Sequence, residues 1–275
     1  MNKIVFAALL MLMANSDVSA HGDIHERIDA LSEDVNHSAG DIEKLIRRGQ
    51  LYLESGHSEE ALDDFTLALK QDPQRNEIHF YIAQTQLAMK NSDKAFARVN
   101  IFLQNADSNA PRARGLLLRG DIYAKEKKLD EAAIDYTQVV AQKKLEALPD
   151  DYVRVADTYL AADAKNAALA LDWLNRGIEK LGSLAVLEER ALNIEISEKR
   201  YPDAIARIDR LIEQKNRLYY FYYKKGDIFA MQGDDYNAKK MYAQALEAIN
   251  TLPASRKNTP ALLQLKQDIE KRNTD

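Results

Sequence analysis

A short unit recurs along this chain, and it limits the possible folds more than any other feature. It is plainest in Gly49-Gln50-Leu51-Tyr52, followed by Gly56, Ala61, Phe65 and Ala68 and closed by Pro73. It returns as Gly120, Tyr123, Ala132 and Tyr136, and again as Gly226, Phe229, Gly233, Ala238, Tyr242 and Ala245. Anchored on Gly49, Ala83, Gly120, Ala156, Leu192 and Gly226, the intervals are 34, 37, 36, 36 and 34 residues. A unit this short cannot bury its own apolar face, so its copies must stack side by side.

Each interval holds two helical stretches and a turn. In the first, Leu45, Arg48, Gly49 and Tyr52 fall at i, i+3, i+4 and i+7, which predicts a helix from Ile42 to Glu54. Gly56 can take a positive φ and end it. Ser58 suits an N-cap, and Ala61, Leu62, Phe65, Ala68 and Leu69 form the apolar stripe of a second helix. Pro73 stops that helix. Gly49 is expected beside Ala61 where the two helices cross, with Tyr52 and Phe65 filling the adjacent space.

This pattern resembles the tetratricopeptide repeat. Units 1, 3 and 6 carry the motif residues quoted above. Unit 4 keeps Ala156, Tyr159, Ala170, Leu174 and Gly177, with two extra residues in its turn. Unit 2 has Gln86 where an aromatic is usual, and unit 5 has Glu195 there and Leu192 at the anchor. The resemblance implies an all-α, right-handed α-α superhelix of antiparallel helix pairs, about six repeats over residues 42–252. A short amphipathic helix and loop over 21–41, with Ile24, Ile28, Leu31 and Val35 on one face, would cover the first repeat. Asn36 to Gly40 reads as the loop. A helix starting at Pro260 behind Thr259 would cap residues 253–275.

The resemblance also implies a concave binding face lined by first-helix residues. Two rows emerge: Ile46, Phe80, Leu117, Val153 and Tyr223 are apolar, and Gln50, Gln84, Asp121, Asp157, Asn193 and Asp227 are amide or acidic. An apolar stripe beside hydrogen-bonding groups suits a peptide or protein partner. The same aliphatic residues could instead pack against neighbouring helices. In the run Leu218 to Lys225, Tyr222 belongs to the core stripe with Phe229, while Tyr220 and Tyr223 are expected to be aromatic anchors in the groove. Trp173 reads as packing on a second helix. The Lys and Asn that hold a peptide carboxylate in some family members are here replaced by aliphatic residues and acids.

Residues 1–20 read as a secretory signal. Lys3 precedes an apolar run from Ile4 to Met13, and Val18-Ser19-Ala20 offers small residues for cleavage after Ala20. That run is shorter than the roughly 20 residues needed to span a bilayer. The expectation is a periplasmic or secreted chain with no membrane span once cleaved. A net charge of −5 and the lack of a long basic run exclude non-specific nucleic-acid binding. The sequence has no Cys, and no G-x-S-x-G elbow, phosphate loop or H-E-x-x-H motif, so catalysis is not expected and no cofactor is called for. Cleavage after Ala20 would expose His21 as the N-terminal residue, with His25 four residues on, a pair able to hold copper. Metal handling, or a structural place in a cell-envelope assembly, are therefore the alternatives to a partner-binding scaffold.

Overall fold

The computed structural model describes residues 24–35, 41–214 and 217–274. The expected loop at Asn36 to Gly40, the proposed signal segment and His21 lie outside them. The described residues form helices and no strand. The chain divides into two compact units, one ending at Ala147 and the other starting at Leu148.

In the first unit, α1 (24–35) precedes three hairpins. These are α2 (Ile42–Glu54) with α3 (Ser58–Gln71), α4 (Asn76–Ala88) with α5 (Ser92–Gln104), and α6 (Asn109–Lys125) with α7 (Leu129–Lys143). Each second helix also packs on the next first helix, α3 on α4 and α5 on α6. In the second unit, α8 (Pro149–Ala162), α9 (Ala167–Leu181), α10 (Ala185–Ser197), α11 (Tyr201–Glu213), α12 (Leu218–Met231) and α13 (Asp235–Asn250) pack in the same serial manner. A one-turn helix, α14 (Ala254–Lys257), leads to α15 (Pro260–Thr274), which lies against α13. The extra residues of the fourth unit form a 3-10 turn, Ala164–Asn166.

The small anchors make room for a large side chain. A Cβ on Gly49 would stand 2.7 Å from the Phe65 ring. The same relation holds for Gly120 with Tyr136 at 2.5 Å and Gly226 with Tyr242 at 2.6 Å. Where the anchor is larger, the residue in the partner slot is smaller: Ala83 with Val99, Ala156 with Leu174, and Leu192 with Ile208, all essentially without solvent exposure. The Gly–aromatic and Ala–Leu junctions thus hold similar summed volumes, while the fifth unit carries two large aliphatic residues in these slots.

The fifth unit shows what replaces an aromatic core. Arg207 stands one residue before Ile208, where the first and third units have Asp64 and Asp135. Those two acids each take a forked pair of hydrogen bonds from Arg48 and Arg119, at 2.7–2.8 Å. In the fifth unit the signs reverse. Arg207, 4% exposed, donates to Glu195 at 2.8 and 2.9 Å, to Glu188 at 2.6 Å and to Asn175 at 2.8 Å. Glu195 therefore fills the aromatic slot as one member of a buried ion pair. Burial alone would lower the Arg207 pKa, but its hydrogen bonds to Glu195 and Glu188 outweigh it and leave the pKa raised.

Five hairpin turns share one closure. Gly56, Lys90, Lys127, Lys199 and Gly233 all have positive φ. The next residue's N–H bonds back over the turn, as in His57 N to Tyr52 O at 2.7 Å and Lys128 N to Tyr123 O at 2.9 Å. Ser58 opens α3 as its first helical residue, and the preceding His57 makes no capping bond with its side chain.

Candidate functional site

The candidate residues lie on first helices and differ in their exposure. In the first unit, α4 contacts both α2 and α6, so three first helices lie side by side. Gln50, Gln84, Leu117 and Asp121 stand half-buried along them. Ile46 and Phe80 do not share that exposure. Ile46 is 5% exposed in the cluster of Leu45, Phe65 and Ile78. Phe80 is 6% exposed, tilted against Phe102 at 5.2 Å and covered by the Arg114 guanidinium at 4.4 Å. The apolar row of this unit is thus reduced at the surface to Leu117, because the other two positions turn into the hairpin junctions. Asp121 accepts the Tyr136 hydroxyl at 2.7 Å, so part of its bonding capacity holds the second helix in place.

In the second unit, α8, which carries Val153 and Asp157, is in contact with α10, which carries Asn193. Asn193 is exposed and Val153 half-buried. Asp157 takes a forked ion pair from Arg190 at 2.5 and 2.7 Å. Asp227 is engaged too: it accepts from the Tyr242 hydroxyl at 2.9 Å and from Arg272 of α15 at 2.8 Å. The acids of this row thus tie helices together within the unit, a role their spacing did not reveal.

The two expected anchors are half-buried on α12 but face different surroundings. Tyr220 packs toward Leu192, Ile208 and Phe221, with the Arg217 guanidinium 4.4 Å from its ring centre. Tyr223 packs beside Tyr242 at 6.2 Å and under Arg272 at 5.5 Å. Burial raises both phenol pKa values, and nearby Glu189 and Asp227 respectively add to it. Tyr242 is pushed up to about 12, by burial first and then by its hydrogen bond to Asp227. Tyr222 and Phe229 pack on the core as expected, and Trp173 is half-buried beneath Arg176.

One feature has no counterpart in the sequence reading. A cleft of about 590 Å³ opens between the start of α12, the end of α13 and the α14–α15 segment. Arg217, Tyr219, Tyr220, Leu252, Arg256 and Leu265 line it. It arises because α14 and α15 fold back, and the polar composition of that segment gave no sign of it. Among the described residues no group of three or more His, Cys, Asp or Glu side chains is placed to hold a metal, and no helix is long and apolar enough to cross a membrane.

Comparison with known proteins bears on the fold. Two tetratricopeptide-repeat family models match, one over residues 46–110 and the other over 113–144. No curated protein matches the chain in sequence. Among solved structures, the C-terminal part of a TPR repeat-containing protein from Cytophaga hutchinsonii superposes with a TM-score of 0.56 at 15% identity, covering 83% of this chain and 91% of that one. MamA from Desulfovibrio magneticus RS-1 gives a TM-score of 0.50 at 18% identity, covering 65% and 97%. Another MamA crystal structure gives 0.50 at 16% identity, covering 59% and 91%. The family models fall on the first unit, the fold likeness extends over most of the chain, and the Gly–aromatic junctions recur in both units: the chain carries tetratricopeptide repeats over residues 46–110 and 113–144 and shares the fold of such proteins over most of its length.

Proposed function

We propose that this protein is a non-enzymatic, exported scaffold that binds a protein or peptide partner along its first-helix faces. One observation supports the reading: α4 contacts both α2 and α6, and Gln50, Gln84, Leu117 and Asp121 on these helices are partly exposed, a strip of amide, apolar and acidic groups in this reading. Such a strip offers hydrogen bonds and a shallow apolar contact to an extended or helical segment. In the second unit, Asn193 and the half-buried Tyr220 and Tyr223 offer similar chemistry, and amphipathic rings make efficient contact anchors. Repeat arrays commonly present their binding surfaces in this way.

Site-specific photocrosslinking in the native host tests it. A photoreactive residue at Leu117 or Tyr220 is expected to capture a defined partner. The same residue at Thr66 or Lys239, both exposed on second helices, is not. Equal capture at all four positions, or capture only at Thr66 and Lys239, overturns the assignment of the face. Export is tested on the same cells: a mature chain beginning at His21 in the periplasmic fraction is expected, and a chain beginning at Met1 in the cytoplasm overturns it.

A further inference from the structure

We propose that His25 and His57 form a binding site for a divalent cation that prefers imidazole, with copper(II) held most tightly. The two histidines are 32 residues apart in sequence. Packing brings them together. Helix α1 docks on the first repeat through Ile28 and Val35, which are 5% and 9% exposed. Arg48 donates to Ser32 of α1 at 3.2 Å, and Lys44 pairs with Asp34 at 3.4 Å. This docking sets the His25 ring edge-on to the His57 ring, with centres 5.8 Å apart.

The α2–α3 turn prepares His57 as a ligand. Ser55 Oγ lies 2.9 Å from the Leu51 carbonyl and 3.1 Å from the Tyr52 carbonyl. Carbonyl oxygens only accept, so the single hydroxyl proton is directed to them. The same oxygen lies 3.0 Å from His57 Nδ1. When it accepts there, Nδ1 carries the proton and the lone pair is left on Nε2. A hydrogen bond from one ring nitrogen to an oxygen, with the other nitrogen presented, is how ligating histidines are usually oriented. The Tyr52 ring, 6.2 Å away, flanks the imidazole. Both histidines are exposed, so a cation reaches them without opening the core.

Imidazole ligands suit copper, nickel and zinc, and among these the general affinity order favours copper(II). With no third protein ligand among the described residues, water completes the coordination, and the ion is exchangeable rather than structural. Binding would tether α1 to the first hairpin turn. Imidazole must shed its proton to bind, so binding weakens in acid. His21 lies outside the described residues, and the site does not depend on it.

The test is copper(II) titration of the metal-free full chain, followed by its visible absorption and by the shift in Tm. One equivalent is expected to bind and raise Tm. His57→Ala and His25→Ala are each expected to weaken binding more than tenfold, and Ser55→Ala by about tenfold, the usual effect of losing an orienting partner. His21→Ala is expected to leave binding in place. Circular dichroism of each metal-free variant checks that it folds. Wild-type chain that binds no copper overturns the proposal, as does a folded His57→Ala chain that binds like wild type.

Discussion

The ring of Phe65 occupies the space that a side chain on Gly49 would need, its Cε1 atom lying 2.7 Å from where a Cβ would stand. Both residues are fully enclosed, so neither can move aside freely.

Gly49→Ala is therefore expected to destabilise the fold, although alanine is the better helix former by about 1 kcal/mol. Overpacking costs about 1–3 kcal/mol, so the net loss is about 0–2 kcal/mol. Shrinking the ring in the double variant Gly49→Ala/Phe65→Leu should recover part of it, since Ala156 and Leu174 occupy the same slots naturally. Urea denaturation of the three chains checks this. A double variant less stable than Gly49→Ala contradicts the volume argument.

The Arg207 cluster predicts an asymmetry between breaking and replacing. Glu195→Ala leaves a guanidinium buried with one carboxylate, and such breaks cost about 3–5 kcal/mol. Replacing Glu188, Glu195 and Arg207 together by Leu, Leu and Met should cost far less, or stabilise, because the desolvation of the ions disappears with them. Denaturant midpoints of the single and triple variants settle the comparison.

His79 gives a pH dependence. Its Nδ1 lies 3.3 Å from Arg98 Nη1, a group that can only donate, so the ring must accept there and stay neutral. Burial first, and the Arg98 charge second, hold its pKa below the usual imidazole range. The unfolded chain then takes up a proton at about pH 6.5 that the folded chain resists, so this contribution is complete above that pH and is lost as pH falls below it. His79→Gln retains an acceptor for Arg98 and should flatten the slope of stability between about pH 7.5 and pH 5. An unchanged slope assigns the effect elsewhere.

Arg272 holds the last helix to α12. Removing it in Arg272→Ala loses a partly exposed ion pair with Asp227 and a cation–ring contact with Tyr223. A loss of about 0.5–1.5 kcal/mol is expected, reduced by salt. Amide exchange should quicken in α15 and stay as before in α8 and α9. Uniform quickening would show that α15 is not held independently at this point.

Much of the fold was legible because backbone geometry and periodicity are local. The span of α2, the positive φ at Gly56 and the start of α15 at Pro260 all follow from nearest neighbours in sequence. The site was less legible because exposure depends on partners distant in sequence. Nothing local distinguishes Ile46, which is enclosed, from Leu117, which is not. Asp157 and Asp227 looked like open acids until Arg190 and Arg272 arrived from 33 and 45 residues away. Glu195 looked like a defect in the repeat until Arg207 supplied its counter-ion. His25 and His57 could be joined only through the docking of α1.

The left-handed turns have a practical consequence. Lys90, Lys127 and Lys199 adopt a conformation that costs a residue bearing a Cβ about 1 kcal/mol or more, and glycine adopts it freely. All three are exposed and lie off the strip of first-helix residues. Thermal tolerance could thus be adjusted at these hairpin tips, one lysine at a time, while the surface offered to a partner is left untouched.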